Sequence, residues 1–356
     1  MPVSRSVAKN MVTKKRQANP LYFTILGVVL LFVLLTPGEI GEQRVAVSQQ
    51  KRQQPKPTLT LLQRTLMKLE QRNSQSGREC PPHFMQLSSP ADVFSNWKQR
   101  ARPRKVVVLS PYNCEEEMLN IKLEVMGPYV DHFVIVESTV TNSHQGKELC
   151  FEYSVVEESK YTDSILYTIS NYMVPNFHYW EQEVYVKNQL SEHLGELSLS
   201  DDDLIIMLDM DEVVSTQHLH FLKHYNHPDG KTAFRISLRW SYYGFEWVNP
   251  DPTTINAVVS WREMNDRCHL KANDIRFNLC GITSPDQMGT LQMIGWHCSW
   301  CFENLDRFVQ KIESSSKLED NQPAFKNLEY LADQRRRGLW FVDGQPNACF
   351  RKFGED

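Results

Sequence analysis

The 356-residue chain lacks an excess of positive charge, an N-glycosylation sequon and a second Cys-x-x-Cys pair. Its net charge of −4 gives no electrostatic reason to expect a nucleic acid as partner. Without an Asn-x-Ser/Thr sequence, ordinary N-glycosylation of the chain is not expected. Cys298-Ser-Trp-Cys301 has the spacing of a zinc or redox motif, but a zinc site would need a second such pair. We therefore expect the eight cysteines to make one or two structural bridges, with an open connectivity.

Acidic residues are absent before Glu39, and an uninterrupted apolar run fills residues 21–35. Positive charge on the amino side of such a run fixes that side in the cytoplasm, and the preceding segment supplies Arg5, Lys9, Lys14, Lys15 and Arg16. The alternative is a cleaved signal peptide, for which Pro37-Gly-Glu-Ile is a poor cleavage site. We predict a single-pass type II protein with four regions: a cytoplasmic tail (1–20), a transmembrane signal anchor (21–37), a stem (38–100) and a lumenal domain (101–356).

The anchor and the stem suggest a location and a partner. A short span suits a thin membrane early in the secretory route, so we expect an endoplasmic reticulum or Golgi address, with the Golgi membrane as the prediction. The oxidising lumen there permits disulfides. The stem has few aromatic residues and cannot build a core. A 3-4-3 leucine spacing within it would pair two stems into a homodimer or form a lone amphipathic helix: Leu59, Leu62, Leu66 and Leu69.

Short apolar segments alternate with helical ones beyond the stem. Residues 105–109 and 132–136 are typical of buried strands, and residues 115–126 between them are typical of a helix. Strand, helix and strand in this order predict parallel strands joined by a right-handed crossover. A second helix, over 179–197, precedes the apolar segment 204–208. This alternation predicts an α/β domain with a mostly parallel central sheet.

Two aspartates, Asp209 and Asp211, directly follow that last apolar segment. Ligands of parallel sheets bind beyond the carboxyl ends of the strands, where both side chains would emerge. Their hard oxygens suit a divalent cation such as magnesium or manganese, with substrate phosphates completing the shell. We therefore expect metal-dependent chemistry on a phosphorylated substrate, against the alternative of a solvated turn. Beyond Ser215 the chain is rich in aromatic residues, which are typical of a core, a sheet face or a platform for sugar rings.

Four segments in the same order resemble glycosyltransferase family 17, over about residues 104–345. They are 105–139, 180–190, 202–215 and 295–300, the last leading into a helix with Arg307 and Lys311. The resemblance implies a GT-A-like nucleotide-sugar-binding fold, a UDP-N-acetylglucosamine (UDP-GlcNAc) donor, a divalent metal with manganese as the expected ion, and inversion at the anomeric carbon. It also implies a mannose of an N-linked glycan as acceptor, with a β-1,4 linkage to the core β-mannose.

The expected site residues fall into three groups. Asp209, Asp211 and His297 are the predicted metal ligands, although a lone histidine can also be a satisfied core residue. Contacts with the donor are predicted for Glu137, Lys187 and Asn188, and for Asp209, which could reach the ribose; a salt bridge or a solvent-facing helix is the alternative. The general base is expected among the downstream carboxylates, with Glu303 and Asp306 favoured over Glu246, Glu263 and Asp266.

Two other functions fit parts of the sequence. In a haloacid-dehalogenase-type phosphatase, Asp209 would be the nucleophile and Asp211 the acid/base. That motif normally opens its domain and needs a later strand ending in paired aspartates, whereas here a strand-helix-strand unit precedes it and no such strand follows. The second alternative is a non-catalytic, membrane-anchored lectin that holds sugars through the metal and the aromatic residues.

Overall fold

The computed structural model describes residues 80, 86–151, 159–175, 180–344 and 349–350. These residues belong to one compact unit. The predicted tail, signal anchor and stem leucines lie outside the described residues. Among the residues that the structure describes, no helix is long and apolar enough to cross a membrane.

The described strands are, in chain order, β1 (Lys98–Gln99), β2 (Val106–Tyr112), β3 (His132–Ser138), β4 (Ile165–Ser170), β5 (Leu204–Met207), β6 (Glu212–Val214), β7 (Tyr225–Asn226), β8 (Ala233–Tyr242), β9 (Trp247–Val248), β10 (Thr253–Ser260), β11 (Met288–Leu291), β12 (Gly295–Ser299) and β13 (Cys349–Phe350). The α-helices are α1 (Pro90–Val93), α2 (Glu116–Met126), α3 (Glu181–Gln189), α4 (Thr216–His224), α5 (Trp261–Asp266), α6 (Ala272–Asn278), α7 (Leu305–Ser314) and α8 (Leu328–Arg337).

One half of the main sheet is parallel, in the order β5-β2-β3-β4. The predicted strands 105–109, 132–136 and 204–208 correspond to β2, β3 and β5, and α2 connects the first two, as predicted. The predicted helix over 179–197 is shorter, because α3 ends at Gln189 and a single 3-10 turn follows at Leu194–Leu197.

Alternating side chains of the parallel strands enter two separate cores. Val106, Val108 and Ile206 pack on one face with α2, whereas Val107, Leu109 and Ile205 pack on the other with Val186 and Leu190 around α3. Such strands are buried on both faces, which explains why they form continuous apolar runs in the sequence. Burial on both faces also fixes the register that places the strand ends.

The other half of the sheet is mixed, which corrects the prediction of a mostly parallel sheet. β10 is antiparallel to both β5 and β8, and β12 is parallel to β8 but antiparallel to β6. Only residues 243–252 connect β8 to β10, which is too short for a parallel crossover and forces the chain to reverse. Most of the rings predicted as a core or a sugar platform are core here, with Tyr242, Tyr243 and Trp247 buried against α7 and α8.

All eight cysteines form disulfides, in the pairs Cys80–Cys349, Cys114–Cys150, Cys268–Cys280 and Cys298–Cys301. The expectation of one or two bridges was therefore too low. The Cys-x-x-Cys pair closes a bridge across the end of β12, so its sulfurs are not zinc ligands. The sequence could not show this connectivity, because three of the pairs join residues that lie 12 to 269 positions apart.

Candidate functional site

The site is built on the turn between β5 and β6. The backbone N–H of Asp209 donates to Glu212 Oε2 at 2.6 Å, which closes the turn on itself. β6 then pairs antiparallel with β12, with His297 opposite Glu212. The N–H of Cys298 donates to the carbonyl oxygen of Asp211 at 2.8 Å. The strand pairing thus places His297 beside Asp211, although 86 positions separate them in the chain.

Asp209 lies between two buried cations. Arg276 Nη2 is 2.8 Å from its Oδ2, and Lys187 Nζ is 3.1 Å from its Oδ1. Burial alone would raise the pKa of Asp209, but Arg276 and Lys187 outweigh that effect and lower it to about 2. The carboxylate is therefore ionised at neutral pH, and it keeps 29% of its side-chain surface exposed.

Arg276 anchors this side of the site to the interior. Its guanidinium forms a two-pronged ion pair with the fully buried Glu212, at 2.7 and 2.9 Å, and also donates to the Asn256 side chain. Sequence reasoning missed Arg276, because it lies on a short, irregular helix 64 positions after Glu212. The only signal was the third acidic residue in Asp209-Met-Asp-Glu212, which called for a cationic partner once it was buried.

Asp211 has a different set of partners. Lys311 Nζ is 2.9 Å from its Oδ2, and His297 Nε2 is 3.5 Å from its Oδ1. Burial opposes ionisation of Asp211, yet Lys311 and His297 hold its pKa well below the usual value. Asp211 also raises the pKa of His297 against the effect of burial. His297 Nε2 lies 3.1 Å from Ser299 Oγ as well.

Lys311 reaches Asp211 from α7 and is shared with a second acid. Its Nζ lies 3.4 Å from Glu115 Oε1 and 5.5 Å from the ring centres of both Trp300 and Phe302. Burial would lower the pKa of Lys311, but Asp211 and Glu115 raise it. Burial is also the main reason that the pKa of Glu115 is raised. The ammonium is therefore a permanent charge beside Asp211.

Lys122 supports the turn between β5 and β6 from α2, and sequence reasoning missed it as well. It is fully buried on α2, where its Nζ donates to Ser110 Oγ and to the carbonyl oxygen of Asp209, both at 2.8 Å. Burial lowers its pKa to about 8, although Glu212, Asp211 and Asp209 oppose that shift. In the sequence Lys122 is an ordinary charged residue of an amphipathic helix, with nothing to distinguish it.

The predicted donor contacts lie in different surroundings. Lys187 belongs to the cluster around Asp209, as described above. Both oxygens of Glu137 accept hydrogen bonds from protein groups: the Lys147 ammonium, the Tyr167 hydroxyl and the backbone N–H groups of Cys150 and Phe151. Asn188 Oδ1 accepts from the N–H of Asn273 at 3.1 Å, which ties α3 to α6. Donor contacts by Glu137 and Asn188 stay predictions.

The predicted bases Glu303 and Asp306 line an open cleft of about 640 Å³ before α7, which Leu328 and Arg335 also border. The N–H of Glu303 donates to Glu117 Oε1 at 2.7 Å. Asp306 is exposed in the first turn of α7, where its N–H donates to the capping side chain of Asn304. Their role as bases stays a prediction.

The groups around Asp211 fit a divalent cation. The 3.5 Å between Asp211 Oδ1 and His297 Nε2 lets both atoms bind one ion through bonds of about 2.1 Å. A carboxylate and an imidazole are an acceptable ligand pair for manganese or zinc. Asp209 fits less directly, because Arg276 and Lys187 already contact its two oxygens. The structure therefore favours Asp211 and His297 as the ligands.

An α/β domain with acidic and basic side chains gathered at the carboxyl edge of its parallel strands is typical of enzymes that act on nucleotide-linked substrates. Residues 82–337 match glycosyltransferase family 17, and the chain belongs to this family of enzymes. Membership in a glycosyltransferase family argues against the phosphatase and lectin alternatives.

Named relatives resemble the chain over about half of their own length. The rat and human proteins called beta-1,4-mannosyl-glycoprotein 4-beta-N-acetylglucosaminyltransferase are each 26% identical over 280 residues, which cover 68% of this chain. The matched part is 49% of the rat protein and 50% of the human one. Among solved structures, the mannosyltransferase PcManGT from Pyrobaculum calidifontis, in complex with GDP-Man and Mn²⁺, superimposes with a TM-score of 0.33 at 11% identity, covering 77% of each chain.

Proposed function

We propose that the chain transfers N-acetylglucosamine from UDP-GlcNAc to a mannose of an N-linked glycan, with inversion at the anomeric carbon. The family and the names of the relatives support this choice of sugar and acceptor, including a β-1,4 linkage to the core β-mannose. The observation that carries the proposal is the convergence of Asp211, His297 and Lys311 at the carboxyl edge of the sheet. Such a convergence suits an anionic leaving group.

The leaving diphosphate needs positive charge. Asp211 and His297 would hold a divalent cation, with manganese as the expected ion, which when bound neutralises charge developing on the phosphate. Lys311 adds a permanent positive charge next to Asp211. Lys122 keeps the turn in place by holding the carbonyl oxygen of Asp209.

Asp209 has a separate task in this proposal. Arg276 and Lys187 orient its ionised carboxylate, and 29% of the Asp209 side chain remains exposed. A carboxylate accepts hydrogen bonds only, so it suits the hydroxyl groups of the donor ribose. Asp209 would thus position the donor.

Inverting transfer also needs a base for the acceptor. The acceptor hydroxyl oxygen attacks the anomeric carbon as the bond to the UDP oxygen breaks, and the hydroxyl proton passes to a carboxylate. We assign that carboxylate to Glu303 or Asp306, because both line an open cleft that could receive a glycan. Glu303 lies just before α7, the helix that carries Lys311, and Asp306 lies in its first turn. UDP leaves with the electron pair of the broken bond.

The proposed location is the Golgi membrane, with the catalytic domain in the lumen. The basic residues before the apolar run 21–35 support this orientation. Four disulfides agree with folding in an oxidising compartment. Pairing of two chains through the stem leucines stays part of the proposal.

The test is sugar transfer by the full-length chain in detergent, with UDP-GlcNAc, Mn²⁺ and a set of defined N-glycans. We expect a product whose linkage NMR can assign, and at least a ~100-fold lower kcat/KM for Asp211→Asn. The matched control is Asp201→Asn, because Asp201 is an exposed partner of Arg262 and should leave transfer unchanged. A folded wild-type chain that transfers no sugar from any nucleotide sugar would refute the proposal.

A further inference from the structure

The ammonium of Lys311 occupies one oxygen of the carboxylate that is the proposed metal ligand. We infer that Lys311 and the divalent cation compete for Asp211, so that the chain binds the metal tightly only when a diphosphate is present to receive the displaced ammonium. The inference deepens the proposed function and rests on it. It makes Lys311 the residue that couples metal binding to donor binding.

The distances around Asp211 carry the first step. Lys311 Nζ is 2.9 Å from Oδ2, which is a full ion pair, whereas His297 Nε2 is 3.5 Å from Oδ1 and leaves that oxygen less tightly bound. Two positive charges that share one carboxylate in a buried site repel each other, because little water screens them. An entering divalent cation therefore weakens the contact between Lys311 and Asp211.

The surroundings of Lys311 carry the second step. Glu115 Oε1 lies 3.4 Å from the ammonium, and the rings of Trp300 and Phe302 lie within 5.5 Å. When the ammonium gives up its contact with Asp211, Glu115 and the two aromatic faces still hold it near the site. Its side chain is 22% exposed, so the displaced ammonium remains accessible to a diphosphate bound at the site.

Charge balance supplies the third step. Asp211 and Glu115 together exceed the charge of Lys311 by one negative charge, since two carboxylates share one ammonium. Adding a divalent cation leaves an excess of positive charge in a largely buried pocket, which opposes metal binding. A diphosphate removes this excess because it brings negative charge to both cations. By thermodynamic reciprocity, the metal then strengthens diphosphate binding by the same factor.

The experiment measures binding of Mn²⁺ alone to the full-length chain in detergent, from the EPR signal of the free aquo ion. We expect Lys311→Met to bind Mn²⁺ about 10-fold more tightly than wild type, because the competing charge is gone. Glu115→Gln should weaken Mn²⁺ binding about 3-fold, because Asp211 is then the only carboxylate that pairs with Lys311. Lys311→Arg and the surface variant Lys326→Met should match wild type, and Asp211→Asn should abolish binding.

A second titration includes UDP and is corrected for Mn²⁺–UDP binding in solution. UDP should tighten Mn²⁺ binding at least ~10-fold more in wild type than in Lys311→Met, because only wild type has an excess charge to relieve. If Mn²⁺ binds through Asp211 but the Lys311→Met affinity equals that of wild type, the inference is overturned while the proposed function stands. If wild type transfers sugar but binds no Mn²⁺ with or without UDP, the inference and the metal requirement both fall. Loss of transfer to every acceptor would instead refute the function.

Discussion

The two halves of the sheet share aliphatic cores but differ in what else stabilises them. In the parallel half, aliphatic side chains such as Val107, Val134 and Ile206 are completely buried on both faces of the strands. The mixed half contributes aliphatic side chains such as Val258 to the same cores, and it adds a cluster of aromatic rings and the disulfides Cys80–Cys349 and Cys298–Cys301. The aromatic cluster and these two cross-links are what distinguish the mixed half.

The site lies where these two halves meet, and each contributes a different kind of group. The turn after β5 supplies Asp209 and Asp211, whereas β12, α6 and α7 supply His297, Arg276 and Lys311. The acidic groups of the site therefore belong to the parallel half, and most of their cationic partners belong to the mixed half. Function should therefore depend on how firmly the mixed half is held in place.

The largest expected loss of stability follows removal of the Cys80–Cys349 disulfide. This bridge joins residues 269 positions apart, so its loss in Cys80→Ser/Cys349→Ser frees a very long loop in the unfolded chain. The loop-entropy expression predicts a decrease of about 5.5 kcal/mol in the free energy of unfolding, measured by urea denaturation. Removal of Cys268–Cys280, which are 12 positions apart, is the control and should cost only about 3 kcal/mol. Equal losses would contradict this account of the mixed half.

Breaking the ionic link between the halves should cost nearly as much. Arg276→Met leaves the buried Glu212 without its partner and removes one cation from Asp209. Removal of one member of a buried ion pair costs about 3–5 kcal/mol, again measured by urea denaturation. The control is Arg262→Met, because Arg262 pairs with Asp201 on the surface and should leave the unfolding midpoint unchanged. A comparable midpoint for both variants would show that Glu212 is not held by Arg276.

The sequence predicts the parallel half better than the mixed half, because the two halves bury their strands differently. Strands buried on both faces leave continuous apolar runs, so β2, β3, β5 and the aspartates after them could be located from residue types alone. In the mixed half, residues 234–240 alternate like a half-buried strand and lie in β8, whereas the aromatic residues of the loops and of α7 follow no such pattern. His297 was predicted as a metal ligand, and the structure places it beside Asp211.

The cations of the site could not be predicted in the same way. Arg276 and Lys122 are defined by what they touch, and their partners lie 64 and 87 positions away in the chain. A single charged residue on a helix is usually solvated, so nothing distinguishes these two before the fold is known. Lys311 was identified only as part of a segment that resembles the family.

Lys122 makes the stability of the parallel half depend on pH. Its pKa is about 8 in the folded chain against 10.5 for an unperturbed lysine, so the unfolded chain binds more protons between these values. The contribution of Lys122 to stability therefore rises with pH, by roughly 2 kcal/mol from pH 8 to pH 9.5. Lys122→Met should lack this rise, whereas the surface variant Lys326→Met should retain it. Parallel stability curves for wild type and Lys122→Met would contradict the prediction.

The smallest expected loss of stability follows removal of the Cys298–Cys301 disulfide, which lies beside the site. Cys298 and Cys301 are only three positions apart, so Cys298→Ser/Cys301→Ser should lower the free energy of unfolding by about 1.5 kcal/mol. The bridge nevertheless encloses Trp300, which has a left-handed φ of 62° that a bulky residue rarely adopts. The bridge also begins at the residue directly after His297, and the Cys298 N–H donates to the carbonyl oxygen of Asp211.

Relaxation of this turn should therefore disturb the site more than the fold. We expect kcat/KM for sugar transfer to fall about 10-fold in Cys298→Ser/Cys301→Ser, because its release moves His297 away from Asp211. The same assay on Cys268→Ser/Cys280→Ser is the control, with a larger loss of stability but a smaller loss of transfer at a temperature where both variants are folded. If transfer instead follows stability across the two variants, the bridge beside His297 acts only on the fold.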